Sequence, residues 1–595
     1  MAERLRFLPA GSDSFMVELA DLESTLTLLD RMLAAPPEGV FETIPAARTL
    51  MVRFDPLVTD RARLSAYIRG LDLTERSARE GELFEIPVTY DGEDLADVAD
   101  ILGWTVEDVV RRHTAATYTV AFTGFAPGFA YMTADDPGFD VPRRKSPRVR
   151  IPAGAVALGG KFGGIYPSDS PGGWQLLGRT PLKMWDTSRP RAALLAPGDR
   201  VHFRDMAKGA TVGFVPSIQH DVDAVSPHHP LAAAPTSPPQ GGRLEYEGAS
   251  RPISPLEGEM PGRAEGGKAA NSARAATPPL PSPGKIFSET AGLRVLRADR
   301  PALYQDFGRA GRADQGVGES GALDRLAMQE ANLTVGNPRE TAVVEVTFGG
   351  FAIEADEPVT LSVFGAPSPL RIDTADGRQI AAPFARAFAL DAGDRLTLDA
   401  PAEGMRSYLA LRGGFAVEPV LGSASTDTLA KVGPPPIVAG DRLMLAGNRA
   451  AAVDPAPALP SPLPRAGDVV RLDVILGPRT DWFTQKGLDT FIAQEWTVTA
   501  ESSRVGMRLS GPSPIERRDQ AELPSEATAI GAIQVPHTGQ PVLFLADHPL
   551  TGGYPVIGSV ARHHLDLAGQ IPIGARIRFN PIAGFDPEDA ESLTR

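Results

Sequence analysis

Apolar positions along the chain change period several times, and those changes divide it. Phe15 to Leu19 is a short apolar run that predicts a strand, and Leu22, Leu26, Leu29 and Leu33 then recur at helical spacing. Thr49 to Phe54 predicts a second strand and Arg61 to Leu71 a second helix, so residues 1–80 read as a small α+β domain. The run Leu83 to Tyr90 predicts a strand followed by two helices. One covers 94–102 and stops at Gly103; the next opens at Thr105 with Glu107 and Asp108 in its first turn. His113, near the end of that second helix, reads as a solvated or capping side chain. Tyr118 to Thr123 is a strand that runs into Gly124-Phe125-Ala126-Pro127-Gly128-Phe129-Ala130-Tyr131. That loop reads either as the floor of a pocket or as a β-bend with packed aromatics.

The periodicity stops over 225–288, where proline, glycine, serine and alanine dominate, and a disordered linker is predicted. Beyond it, Ser320 is placed to cap a helix over Ala322 to Leu333. Apolar runs at 342–348, 359–364, 395–398 and 408–411 predict a β-rich domain over 289–452. A shorter proline-rich connector covers 453–467, and a last β-rich segment covers 468–595, with Val542 to Ala546 as a buried strand.

Two distant segments echo each other. Gly172-Gly173-Trp174 with Gly178 repeats the frame of Gly552-Gly553-Tyr554 with Gly558. Gly154-Ala155-Val156 precedes the first as Gly531-Ala532-Ile533 precedes the second. Pro197 to Phe203 follows the first as Ile573 to Phe579 follows the second. Three matches in the same order predict two copies of one β-rich module, within 81–224 and 468–595. Asp547 at a strand end, with Gly552, Gly553 and Tyr554 just after it, reads as a small-molecule site or as a tight hairpin with a capping acid.

Composition narrows the partners. Lys+Arg 59 against Asp+Glu 74 gives a net charge of −15, which argues against nucleic acid and against an anionic membrane. The chain has 0 cysteines, which excludes disulfides, thiolate metal sites and a cysteine nucleophile. No apolar run approaches ~20 residues and the first residues lack a signal-peptide core, so a cytoplasmic protein is expected.

Several motifs fail on inspection. Gly316 to Gly321 fits GxGxxG, but residues 304–315 before it are polar and supply no strand. Gly159-Gly160-Lys161 is followed by Phe162 where a P-loop needs Ser or Thr. HExxH is absent and His563-His564 adjoin, so no catalytic metal site is predicted. No biotin-attachment motif occurs, so no covalent biotin is expected on this chain.

Longer motifs do hold. Gly124-Phe-x-Pro-Gly-Phe-x-Tyr131, Pro152-Ala-Gly-x-Val156 and Ser170-Pro-Gly-Gly-Trp-x-Leu-x-Gly-Arg179 resemble allophanate hydrolase subunit 1, the KipI-type proteins. Asp306-x-Gly-Arg309, Gly422-Ser423, Arg504-x-Gly-x-Arg508, Gly531-Ala-Ile-Gln-Val-Pro536 and Gly552-Gly-Tyr-Pro555 resemble the companion subunit 2, the KipA type. The chain thus resembles both subunits fused through the 225–288 segment. The resemblance implies a mainly β protein with an α+β N-terminal domain and cyclophilin-like β-barrels in both halves. It also implies the B and C components of bacterial 5-oxoprolinase, which opens the 5-oxoproline lactam to glutamate with ATP and Mg²⁺ beside a separate LamB/YcsF-type A component. The same modules form the carboxyltransferase domain of urea carboxylase, and KipI-type proteins bind and inhibit a sensor histidine kinase; both stay as alternatives. A homo-oligomer is expected. Gly318, where the family usually has proline, and His548-Pro549-Leu550 depart from the pattern.

The implied reaction asks for cations around a transferring phosphoryl group and for carboxylates to hold metal or place water. Arg504 and Arg508 are the candidates for the anion, with Arg309 behind them. Asp547, Glu526 and Asp306 are the candidates for metal or base work. Gln534, Ser423 and Tyr554 would orient substrate beside Gly552 and Gly553, and Tyr131, Arg143, Trp174 and Arg179 would face the pocket from the first half.

Overall fold

The computed structural model describes residues 4–74, 81–144, 146, 148–207, 292–456, 461–521 and 523–591. The 225–288 segment, predicted as a linker, lies outside the described residues. The N-terminal helix forms as the leucine spacing predicts, over Leu22–Ala34, with Asp21 capping it by accepting from the Ser24 N–H. It packs on a five-stranded sheet ordered Val40–Pro45, Thr49–Phe54, Ser14–Glu18, Arg4–Pro9 and Glu588–Glu591. The last of these comes from the far end of the chain and pairs antiparallel with Arg4–Pro9.

The echo seen in sequence is an echo in topology. The first barrel is a seven-stranded sheet running Gln175–Arg179, Ala155–Gly159, Phe162–Ile165, Ala130–Ala134, Thr117–Thr123, Arg200–Asp205, Leu83–Val88. A bridge between Thr89 and Arg179 joins its two edges. The second is a closed barrel running Val556–Val560, Ala532–Gln534, Val542–Phe544, Gly506–Ser510, Trp496–Val498, Arg576–Ala583, Val469–Leu476. Strand for strand the orders coincide, and each barrel has one parallel pair, made by its first and last strands. Each also carries a side ribbon: Arg148–Ile151 with Ser170–Gly172, and Glu526–Ala527 with Thr551–Gly552.

Between the barrels in sequence, a six-stranded and a five-stranded sheet enclose a core that includes Leu293, Val344, Ile353, Leu361, Leu396 and Leu409. The helix predicted from Ala322 runs Arg325–Thr334, and Asp324, not Ser320, caps it by accepting from the Ala327 N–H. Ser320 instead takes a positive φ of 56° and turns its hydroxyl toward Asp547. His113 also departs from expectation. It is fully buried, bonded through Nδ1 to the Tyr90 hydroxyl at 2.8 Å, and burial holds it down to about 3. Among the described residues no helix is long and apolar enough to cross a membrane.

The two halves share buried contacts. Leu8, Met16, Ile44 and Met51 of the N-terminal domain form one cluster with Ala313, Ala527 and Leu550. Around it, Arg479 bonds Glu526 and Glu18, and Arg53 bonds Glu42 and Glu319 at 2.7 and 2.8 Å. Burial alone would raise Glu319, but Arg325 and Arg53 hold it down to about 2.

Candidate functional site

A cavity of about 650 Å³ opens where the two halves meet. The first barrel supplies Phe125-Ala126-Pro127 and Ser168 to Pro171; the second half supplies Gly316, Asp427 to Lys431, Arg508, Gln534, His548 and Tyr554. The aromatic loop is moulded onto the second half. Phe125 N–H donates to Thr551 Oγ1 at 3.1 Å, Gly128 N–H to Gln315 O at 2.9 Å, and Thr123 Oγ1 to Ala313 O at 2.6 Å. Glycine is required at 124 and 316, since a Cβ would come within 2.7 Å of Thr551 Oγ1 and 2.6 Å of Ala126 O. The loop is therefore both of the alternatives left open above: a packed bend that also walls a pocket.

Behind that wall Tyr131 stacks on Phe122 at 4.5 Å, and Trp174 meets Phe129 and Tyr131 edge-on at 5.4 and 5.6 Å. Arg143 lies 6.0 Å above the Trp174 ring and reaches Ser525 Oγ at 3.5 Å, so it crosses from the first barrel to the second. A Cβ on Gly553 would lie 3.8 Å from Arg143, and one on Gly552 would lie 2.7 Å from Gln534 Nε2. Arg179 is elsewhere, in an exposed ion pair with Asp91 at 2.9 Å.

Under the opposite wall lies a fully buried charge network. Asp547 accepts from Ser320 Oγ at 2.7 Å, from Thr428 N–H and Oγ1 at 2.9 and 2.7 Å, and from Arg504 Nε at 3.0 Å. Arg504 also bonds Glu345 and donates to Gly321 O at 2.6 Å. Burial alone would raise the Asp547 carboxyl, but the Arg504 charge and the bonds from Arg504 and Thr428 hold it below the usual range. Asp427 lines the cavity and has no such cation. Burial and the neighbouring Asp547 charge push it up to about 7, against the pull of the Ala430 N–H, Arg309 and Arg504.

The remaining predicted residues fall into structural knots. Asp306 accepts from Ser423 Oγ and Ser425 Oγ, each at 2.6 Å, and from the Gly308 and Ala424 N–H groups, so its oxygens are occupied holding a loop. Arg309 is buried behind that loop, donating to Ser425 O and Val420 O, and its burial lowers its pKa. Glu526 is raised by burial despite its pair with Arg479, and sits where the N-terminal domain meets the second barrel. Arg508, Gln534 and Tyr554 do line the cavity, with Gln534 Nε2 donating to Tyr554 O at 3.2 Å. Sequence alone does not single out Asp427 and Lys431. The hydroxyl-rich loop Leu421 to Thr426, just upstream, is the available signal.

Family models for the carboxyltransferase domain match both halves: subdomain C and D over residues 5–195, and subdomain A and B over residues 315–581. The second half is 34% identical over 290 residues to the C component of 5-oxoprolinase from Escherichia coli K12, covering 90% of that protein and 48% of this chain. The chain belongs to the carboxyltransferase-domain family. The first half of this family member is 36% identical over 197 residues to the B component of 5-oxoprolinase from Escherichia coli O157:H7, covering 89% of that protein and 32% of this chain. A fused B-plus-C carboxyltransferase-domain architecture fits both matches. The crystal structure of TTHA0988 superposes with a TM-score of 0.71 at 30% identity, covering 95% of this chain and 99% of that one. Urea amidolyase of Saccharomyces cerevisiae is 30% identical over 315 residues, covering 50% of this chain and 17% of that protein.

Proposed function

We propose that this chain is the B-plus-C component of an ATP-dependent 5-oxoprolinase, cleaving the 5-oxoproline lactam to glutamate with a separate LamB/YcsF-type A component. The observation that carries the reading is the shared cavity: B-like and C-like halves each build one wall of a space of about 650 Å³, within the range of small-molecule sites. Fusing the halves keeps those walls in a one-to-one ratio.

The residues present fit an anionic, phosphate-bearing group. Arg508 and Lys431 are exposed cations on the cavity lining, and Glu501 is an exposed acid on the same lining that suits Mg²⁺. ATP with Mg²⁺ supplies the phosphoryl group that activates an otherwise inert lactam carbonyl oxygen. This chain's residues do the rest. Arg508 and Lys431 hold the anion, and the aromatic wall excludes water. Asp427, poised near neutrality at about 7, holds or releases a proton at its carboxyl oxygen. Asp547, Arg504 and Thr428 fix the loop that presents Asp427.

The test is glutamate release from 5-oxoproline by this chain plus a LamB/YcsF-type partner, with and without ATP. Glutamate only when all three are present supports the reading, and no glutamate from a complex shown to assemble overturns it. The urea amidolyase similarity favours a second reading, a carboxyltransferase working on a biotin carrier in trans. Decarboxylation of free carboxybiotin by this chain, without lactam turnover, would select it.

A further inference from the structure

The second barrel carries a cleft of about 480 Å³ that shares no lining residue with the cavity between the halves. Its size is within the range of small-molecule sites. Local sequence sets its walls. Lys486 and Thr490 stand one turn apart on the helix Gln485–Ala493, so their side chains share a face. The Thr484 N–H donates to Glu516 O at 3.2 Å, which ties the start of that helix to the loop 513–520. The Ile515 N–H in turn donates to Gly539 O at 2.9 Å, which ties the loop to the turn 537–539. Gly539 takes a φ of 70°, and a Cβ there would stand 2.6 Å from Pro514. Helix, loop and turn are thus locked to one another, and the cleft is preformed.

Arg517 is the unusual member of the lining. It is only 6% exposed, and its bonds go to neutral acceptors: Nε to Asp519 O at 3.1 Å, Nη1 to His537 Nδ1 at 3.1 Å and Nη2 to Ala521 O at 2.9 Å. Among the described residues it forms no ion pair, whereas the buried Arg479 and Arg504 each bond carboxylates. Asp519, the acid that acts on it, turns its carboxylate to the Ala521 N–H at 2.8 Å. Burial therefore lowers the Arg517 pKa, the mark of a charge held out of water without a counterion. Each terminal nitrogen keeps a second N–H, and Nη1 is the one beside His537 on the lining. Because His537 Nδ1 accepts from Arg517, Nε2 carries the ring proton and is a further donor. Lys486 Nζ lies 3.5 Å from Glu516 in a solvated pair that it can leave at little cost.

We propose that this cleft binds a small oxyanion, the carboxylate or phosphate head of a soluble metabolite, through Arg517 with His537 and Lys486 beside it. The oxyanion supplies the counter-charge that Arg517 lacks, and charge-assisted bonds from a mostly buried guanidinium are stronger than those of a solvated one. His537 also meets the Tyr554 ring edge-on at 5.2 Å, and Tyr554 lines the cavity between the halves. An anion that fixes His537 therefore bears on one wall of that cavity as well. Binding at the cleft does not depend on the reaction proposed for the cavity.

The experiment titrates the full-length chain with sodium phosphate and, separately, sodium acetate at constant ionic strength, with chloride as the control, and follows heat and tryptophan fluorescence. The Arg517 guanidinium lies 5.8 Å from the centre of the Trp482 ring, so the fluorescence should change and Trp482→Phe should remove that change. Saturable binding in the millimolar range or tighter is expected for at least one of the two anions, and the tighter one identifies the head group. Affinity should be at least tenfold weaker in Arg517→Gln and severalfold weaker in Lys486→Ala. Arg508→Ala, which removes a cation of the other cavity, should leave it unchanged. No saturation above the chloride response overturns the proposal, as does binding lost in Arg508→Ala or binding unaltered in both Arg517→Gln and Lys486→Ala. A thermal melt without anion shows whether Arg517→Gln still folds, and Lys486→Ala, at an exposed position, carries the test if it does not.

Discussion

The two barrels share strand order, parallel pair and side ribbon, yet they meet the cavity with opposite chemistry. Between their matched strands, the first barrel carries Gly124 to Phe129 where the second carries Thr499 to Val505. One loop brings Phe125 and Phe129 into an aromatic cluster, with ring centroids 5.2 Å apart; the other brings Arg504 into a buried network with Asp547 and Glu345. In the loop that follows Phe162–Ile165 the first barrel places Tyr166 against Phe129 at 5.4 Å, and in the loop that follows the matched strand Val542–Phe544 the second places Asp547 against Arg504. One scaffold thus offers two equivalent pairs of loops to one cavity. Apolar area fills the first pair and keeps water out; charge fills the second, where low dielectric strengthens it.

The sharpest way to break that comparison is Arg504→Met. It leaves Asp547 buried without its cation and Glu345 with only the more distant Arg406 at 3.7 Å, and a loss of about 3–5 kcal/mol in unfolding free energy is expected from denaturant melts. A loss under about 1 kcal/mol would mean the network is wetter and weaker than its geometry says. Arg508→Ala comes next, since it removes an exposed cavity cation. Stability should move within about 0.5 kcal/mol, while 5-oxoproline turnover should fall at least tenfold; unchanged turnover would take Arg508 out of the site.

Asp427→Asn tests the charged wall through pH. Asp427 stands at about 7 in the folded chain against 3.8 for the free side chain, so the folded state holds the extra proton between those values. Its contribution to stability is complete below 3.8 and is lost as pH rises through 7. His548, which burial holds down to about 4 from 6.5, acts in the other direction: its contribution is complete above 6.5 and is lost as pH falls toward 4. Urea midpoints of Asp427→Asn should therefore decline less between pH 4 and 7 than those of the parent chain, with the acid limb unchanged. The smallest effect belongs to Arg179→Ala on the first barrel. Its exposed pair with Asp91 should be worth no more than about 1 kcal/mol, and a larger cost would show that the first barrel relies on charge too.

Much of the scaffold was legible in sequence because glycines mark it. The frames around Gly172 and Gly552, and the matching starts at Gly154 and Gly531, fall on equivalent strands and turns of the two barrels. The site was less legible. Arg508, Gln534 and Tyr554 carry motif neighbours and do reach the cavity. Asp306 carries them equally, yet it ties a loop together, and Glu526, an acid chosen without a motif around it, pairs with Arg479 between domains. A sequence motif does not distinguish an acid facing a ligand from one consumed by hydrogen bonds. Asp427 was hidden for another reason: what perturbs it is burial, and after that Asp547, which lies far along the chain; both arise only from the fold. Ser320 shows the same limit, since a residue well suited to cap a helix is drawn off by a distant carboxylate.

The five-stranded N-terminal sheet takes four strands from the beginning of the chain and its fifth from Glu588–Glu591. On the ribosome, the outer edge of Arg4–Pro9 must therefore wait, its backbone donors and acceptors unpaired, while both barrels and the intervening sandwich are made. Completing that edge waits until the second barrel has been made. A transcript or ribosome that stalls within the second half releases a fragment with an open, adhesive strand, a species that chaperones and proteases are equipped to recognise.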